Sequence, residues 1–163
     1  RVLQEGSIQP LLSLAYSDSL DARHNACQGI ANLANKAEYQ HKLVQEGGVR
    51  RLNQLAVETT NPSEDQDIKF FVALAIARIA KNKSLRVALV TTFSPLSSSR
   101  EEASADADTA ATHLALMRMA EPPGACSKRA QMHAVDALGL LSLEEELHCA
   151  LVSAGALGPL LRQ

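Results

Sequence analysis

Tryptophan is absent from this 163-residue chain, and all aromatics together make up 3% of it. A core without large rings has to be assembled from Leu, Ala, Val and Ile, and long Ala/Leu stretches with few β-branched runs favour helix over strand. Cysteine is scarce: Cys27, Cys126 and Cys149 form an odd set with no CxxC pair. That excludes a paired disulfide framework and reads as three reduced thiols, two of them small core residues, in a cytoplasmic protein with the nucleus as a second compartment. Long apolar runs are missing as well. Stretches such as Leu114-Ala115-Leu116-Met117 are short, and none approaches the ~20 residues that cross a bilayer. Neither membrane insertion nor a targeting segment is expected. An excess of basic charge is lacking too, since the formal net charge is −2, which speaks against a nucleic-acid partner. What is present, 46% hydrophobic and 21% charged residues, is the composition of an ordinary globular domain long enough to bury a core.

The motifs of chemistry are also missing. There is no P-loop, GxGxxG, HExxH, GxSxG or EF-hand loop. The five histidines are His24, His41, His113, His133 and His148. His133 and Asp136 share a helix face, but a metal site needs further ligands converging there. Cys149 beside His148 makes no catalytic pair, because adjacent helix residues point apart. The sequence therefore predicts no enzyme, no cofactor, no metal and no catalytic residue. Asn82-Lys83-Ser84 matches a glycosylation sequon, a three-residue pattern common by chance.

What the chain does have is self-similarity. Three segments share a pattern: Ala26-Cys27-Gln28-Gly29-Ile30-Ala31-Asn32-Leu33-Ala34, Val72-Ala73-Leu74-Ala75-Ile76-Ala77-Arg78-Ile79-Ala80 and Ala134-Val135-Asp136-Ala137-Leu138-Gly139-Leu140-Leu141-Ser142. In each, a large aliphatic stands four residues after the start (Ile30, Ile76, Leu138), another three later (Leu33, Ile79, Leu141), and a small residue closes. Steps of four and three are one face of an α-helix. A second block follows each segment, as Lys42-Leu43-Val44-Gln45-Glu46-Gly47, Ala88-Leu89-Val90-Thr91-Thr92-Phe93 and Ala150-Leu151-Val152-Ser153-Ala154-Gly155, and the chain opens on it, Arg1-Val2-Leu3-Gln4-Glu5-Gly6. The closing Gly suits a sharp turn past a helix end, where the left-handed conformation is needed. Aliphatic helix starts follow at Ile8, Val49 and Leu157, with Pro10 and Pro159 where a first helical turn tolerates them. The long segments recur after 46 and then 62 residues, so the second interval carries an insertion relative to the ~40–47 residues of helical repeats of this size.

These residues resemble the armadillo repeat family. The likeness rests on Glu5-Gly6-Ser7-Ile8-Gln9-Pro10-Leu11-Leu12-Ser13-Leu14, on Ala31-Asn32-Leu33-Ala34 and on Glu46-Gly47-Gly48-Val49. It covers residues 1–93 and 128–163, while 94–127 depart from it. The resemblance implies an all-α, right-handed α-solenoid of about three armadillo-like units, near 5–45, 46–93 and 94–154, with a long insertion before the last and the start of a further unit at 155–163. Both ends look cut, with neighbouring repeats expected on each side, because solenoids need polar capping repeats.

Two insertions interrupt the pattern. Residues 58–67, with Pro62, read as a loop before the second long helix, which Asp65 or Asp67 would cap. Residues 94–108 are rich in Ser and acids, and 97–108 are expected to be flexible. The chain turns apolar again from Thr109, predicting a helix over 109–121 and a loop over 122–127.

The family resemblance further implies that the last helix of each repeat lines a concave groove. There the Asn of the Asn-Leu-Ala ending hydrogen-bonds the backbone of an extended peptide, since one amide both donates and accepts. Here only Asn32 fills that place; Arg78 and Leu140 stand at the matching positions. Gln28, Leu74 and Asp136 occupy the place of the Trp found in nuclear-import adaptors of the family, which argues against a nuclear-signal receptor. The stripe Asn25, Gln28, Asn32, Lys36 on the first long helix matches Phe71, Leu74, Arg78, Asn82 and His133, Asp136, Leu140, Glu144 on the next two. Phe71 and Leu74 would leave an apolar patch, covered or used for binding, with Arg78 beside it to hold an acidic group. The expected contact surface is Asn25, Gln28, Asn32, Leu74, Arg78 and Asp136, and the expected function a non-catalytic scaffold or adaptor for a protein or extended peptide. The alternatives are self-assembly as a homo-oligomer or a regulatory segment within a larger protein, and a small-ligand sensor.

Overall fold

The structure, a computed structural model, describes residues 8–58, 66–91, 112–120 and 126–153. Among these the fold is all-helical, with no strand. The helices are α1 (Gln9–Leu14), α2 (Leu20–Leu33), α3 (Ala37–Gln45), α4 (Gly48–Glu58), α5 (Gln66–Ala80), α6 (Lys83–Thr91), α7 (Thr112–Ala120), α8 (Lys128–Leu141) and α9 (His148–Ser153), the last entered through a short 3₁₀ turn, Glu145–Leu147. The three long helices α2, α5 and α8 are the three segments with matching periodicity.

Local chemistry starts and stops these helices where the residues dictate. The Ser19 hydroxyl accepts from the Ala22 amide at the start of α2, and Ser127 accepts from Ala130 at the start of α8, each cap contributing about 1 kcal/mol. Pro10 sits in the first turn of α1, where no amide donor is needed. Gly47, just past α3, has φ 76°, the left-handed turn expected of it. Gly48 is required for a different reason: a Cβ there would lie 2.8 Å from the Leu43 carbonyl oxygen.

Helix α5 is the centre. Ile68, Val72, Ala73, Ala75, Ile76, Ala77, Ile79 and Ala80 are all buried, so apolar residues cover most of its circumference. A helix that is apolar nearly all round must be enclosed, and α5 packs against α2, α4, α6, α7 and α8. The long helices touch in sequence order, α2 on α5 and α5 on α8. The shorter helices back them, α1 on α2, α4 on α5 and α7 on α8, and α4 also packs on α7.

The helix expected over 109–121 is observed as Thr112–Ala120, while 109–111, 121 and the loop over 122–125 lie outside the described residues. Its docking depends on buried polar groups. The Asn53 amide of α4 donates to the Thr112 hydroxyl at 2.8 Å, and that hydroxyl donates to the Leu89 carbonyl of α6. Both side chains are buried, where unbonded polar atoms would be costly. Of the loop expected over 58–67, Glu58 belongs instead to the end of α4 and Gln66 and Asp67 to the start of α5, while 59–65 lie outside the described residues. Asp67 stands in the first turn of α5, not at its cap, and Asp65 lies outside the described residues. So does the whole 97–108 insertion.

The thiols divide as expected. Cys27 and Cys126 are buried and Cys149 is exposed. Burial pushes the Cys27 thiol up to about 12, Arg23 offsetting part of the effect, and burial raises Cys126 likewise, Lys69 opposing. Because the thiolate is the reactive form, a disulfide reagent should titrate one thiol rapidly in the native protein and three after denaturation. Two or more fast thiols at neutral pH would contradict this packing.

Candidate partner-binding groove

The ends of the long helices are built by one recurring device. The side chain six residues past the small closing residue donates back to that residue's carbonyl. Gln40 Nε2 bonds the Ala34 oxygen at 2.8 Å, Arg86 Nε bonds Ala80 at 2.8 Å, and His148 Nε2 bonds Ser142 at 2.8 Å. The three pairs stand 46 and then 62 residues apart. Carbonyls at a helix C-terminus have no partner within the helix, so these side chains complete them.

The first two of these side chains also reach forward to the end of the next long helix or the residues just past it. Gln40 Nε2 donates to the Arg78 carbonyl at 3.2 Å, and its Oε1 accepts from Asn82 Nδ2 at 3.2 Å. Arg86 Nη1 forms an ion pair with Glu144 Oε1 at 2.8 Å. Asn82 thus spends its amide on Gln40, and its oxygen accepts from the Ser84 hydroxyl at 2.8 Å. A second line of contacts crosses the opposite, N-terminal part of the same helices. Edge-to-face rings join His24 to Phe71 at 5.3 Å and Phe71 to Phe70 at 5.1 Å, and Phe70 meets His133 at 5.6 Å. The Phe71 ring is therefore half covered by its neighbours and is less of an open patch than the sequence suggested.

Between these two lines lies a groove of about 460 Å³. Ala34, Leu74, Ala77 and Leu140 supply its apolar lining, and Arg78 and Lys81 at the end of α5 line it together with His133 and Asp136 of α8. The ends of α2 and α3 contribute Asn35 and Gln40. Asp136 Oδ2 stands 3.8 Å from His133 Nδ1. The groove thus combines an aliphatic lining with the basic side chains of Arg78 and Lys81 and the carboxylate of Asp136.

Of the six residues expected to form the contact surface, Leu74, Arg78 and Asp136 line this groove. Asn25, Gln28 and Asn32 are exposed along α2 but are not among its lining residues. Arg78 is already partly engaged, since its Nη1 donates to the Ala31 carbonyl of α2. It ties two helices together as well as facing the groove. Sequence reasoning missed Asn35, Gln40 and Lys81. Asn35 and Lys81 lie just beyond the ends of α2 and α5, and Gln40 is a buried polar residue within the short helix α3, so no face periodicity points to them. The one available signal was their fixed distance from the closing residues Ala34 and Ala80.

Among the described residues no group of three or more His, Cys, Asp and Glu side chains is placed to hold a metal ion, and no helix is long and apolar enough to cross a membrane. In comparisons with known proteins, no protein-family model and no curated sequence matches the chain.

Proposed function

We propose that this chain is a right-handed α-solenoid of armadillo-like units that acts as a non-catalytic scaffold, holding an extended segment of a partner protein in the groove across α5 and α8. The observation that supports this reading most directly is the composition of the groove: three of the residues predicted for partner contact, Leu74, Arg78 and Asp136, line one cavity. A second support is that the end-of-helix bonds of Gln40, Arg86 and His148 recur at the spacing of the sequence repeats. The small-ligand alternative fits less well, because a small-molecule site wants a predominantly apolar enclosed pocket with a few polar groups, whereas Asn35, Gln40, Arg78, Lys81, His133 and Asp136 all line this groove.

An extended peptide has unpaired backbone donors and acceptors along its length. Exposed amides such as Asn32 can pair with them without reading the peptide's side chains. Selectivity would then come from an aliphatic side chain seated on Leu74 and Leu140, an acidic group toward Lys81 and Arg78, and a basic or amide group toward Asp136.

The test is to pan a random-peptide display library on the immobilised chain. The recovered peptide is then titrated against Asn32→Ala, Leu140→Asp and Asp136→Ala. Each substitution should weaken binding about tenfold or more, a loss of ~1.4 kcal/mol, with the helical circular-dichroism signal unchanged. Recovery of no peptide, or peptides that bind the three variants as well as the parent, would refute the reading.

A further inference from the structure

The groove is lined by a single carboxylate, that of Asp136, and its side chain is 58% exposed. Among the described residues no hydrogen bond reaches it, and the one basic group within 4.0 Å of it is the imidazole of His133, a helical turn earlier. His133 Nδ1 stands 3.8 Å from Asp136 Oδ2, too far for a hydrogen bond. The imidazole is held in place. Its side chain is 22% exposed, and the Phe70 ring of α5 packs against it at 5.6 Å. So an open carboxylate has a fixed neighbour that can become a cation.

The other charged groups around this corner do not change between pH 8 and pH 5.5. On α8 itself the exposed Arg129 stands one turn before His133. At the end of α5, Arg78 and Lys81 line the groove, while Asp67 stands 4.0 Å from His24 and Lys69 is buried. Helices α6 and α7 also pack on α8, but their Lys83, Arg86, His113 and Arg118 are not among the lining residues. Histidine is the one side-chain type in the lining that ordinarily gains or loses charge between about pH 5 and 8.

We infer that His133 is a proton-driven release switch for a cationic side chain of the partner seated on Asp136, an inference that rests on the groove's being the partner site. While the imidazole is neutral the carboxylate is open, and a Lys or Arg of the partner pairs with it. A protonated imidazole carries a hydrogen on both nitrogens. It then offers Nδ1–H to the same carboxylate and sets a second positive charge beside the partner's. Two cations compete for one anion. Binding therefore favours the neutral ring, and by reciprocity a bound partner holds the proton off. Affinity is full above the imidazole range and falls as pH drops through it.

The experiment is fluorescence anisotropy of two rhodamine-labelled heptapeptides, Glu-Leu-Glu-Leu-Lys-Leu-Lys and its reverse, which cover both chain directions. In matched controls Met replaces both Lys. Glu and Lys keep their charges from pH 8.0 to 5.5. The parent chain should bind the order it prefers about tenfold more weakly at pH 5.5, the scale of one unit charge a few ångströms away. The Met controls should change far less, and they need no variant to fold. His133→Gln, neutral throughout, should show no such fall. His133→Arg, charged throughout, should bind weakly at both pH values. Circular dichroism checks that each variant keeps its helices. An affinity that is level across the range, an equal fall in the Met controls or in His133→Gln, or no binding of either heptapeptide at pH 8.0 would each overturn the inference. Peptides recovered by panning would leave the scaffold reading standing in all of these cases, so the two failures are separable.

Discussion

Replacing Ile76 with alanine should lower the free energy of unfolding by about 2–5 kcal/mol, the range for deleting a buried aliphatic side chain and leaving a cavity. The upper half of that range is expected. Ile76 is 0% exposed, and its helix is held by α2, α4 and α8 at once. A site enclosed by several elements cannot collapse around the missing atoms without moving all of them. Urea unfolding followed by circular dichroism reads the loss directly. Leu14→Ala is the control: Leu14 is 51% exposed, and its replacement should cost less than about 1 kcal/mol. If Ile76→Ala cost no more than Leu14→Ala, α5 would not be the enclosed centre of this protein.

The second large effect belongs to Arg86. Its Nη1 is 2.8 Å from Glu144 Oε1, with the two side chains 11% and 16% exposed, and its Nε completes the Ala80 carbonyl. Arg86→Met removes both bonds and strands a mostly buried carboxylate, which should cost about 3–5 kcal/mol. Adding Glu144→Leu removes the stranded charge. Two apolar side chains of similar volume can replace such a pair at little cost, so the double variant should recover most of the loss. About 1–3 kcal/mol should remain for the uncompleted Ala80 carbonyl. A double variant no more stable than Arg86→Met alone would mean that the single loss comes from packing and not from the unpaired charge.

Much of the helical framework was legible before any coordinates, and for a specific reason. Ile30 and Leu33, Ile76 and Ile79, Leu138 and Leu141 repeat a step that only a helix turns into a face. The left-handed Gly47 acts through bonds within a few residues, so the sequence pointed to it; the serines that cap α2 and α8 act as locally but were not singled out there. The lining of the groove was half legible. Leu74, Arg78 and Asp136 stand at the positions that the family resemblance singled out on their helices, and all three line it. Gln40 was not legible, because its partners Arg78 and Asn82 lie far along the chain and nothing in its own neighbourhood marks it as buried. For Phe71 the sequence left a covered and an open ring both possible, because the residue that packs on it, His24, comes from another helix.

The division follows from the range of the forces. The sequence by itself determined which stretches coil, where they stop, and which side of each is apolar, because turn-to-turn spacing, caps and glycine conformations are settled locally. Only the tertiary structure decided that Arg78 divides its head between a helix tie and a groove, and that Thr112 closes a bridge from α4 to α6. Each of these depends on the approach of helices distant in sequence, and that approach is set by the summed burial of all their faces, which no single segment contains.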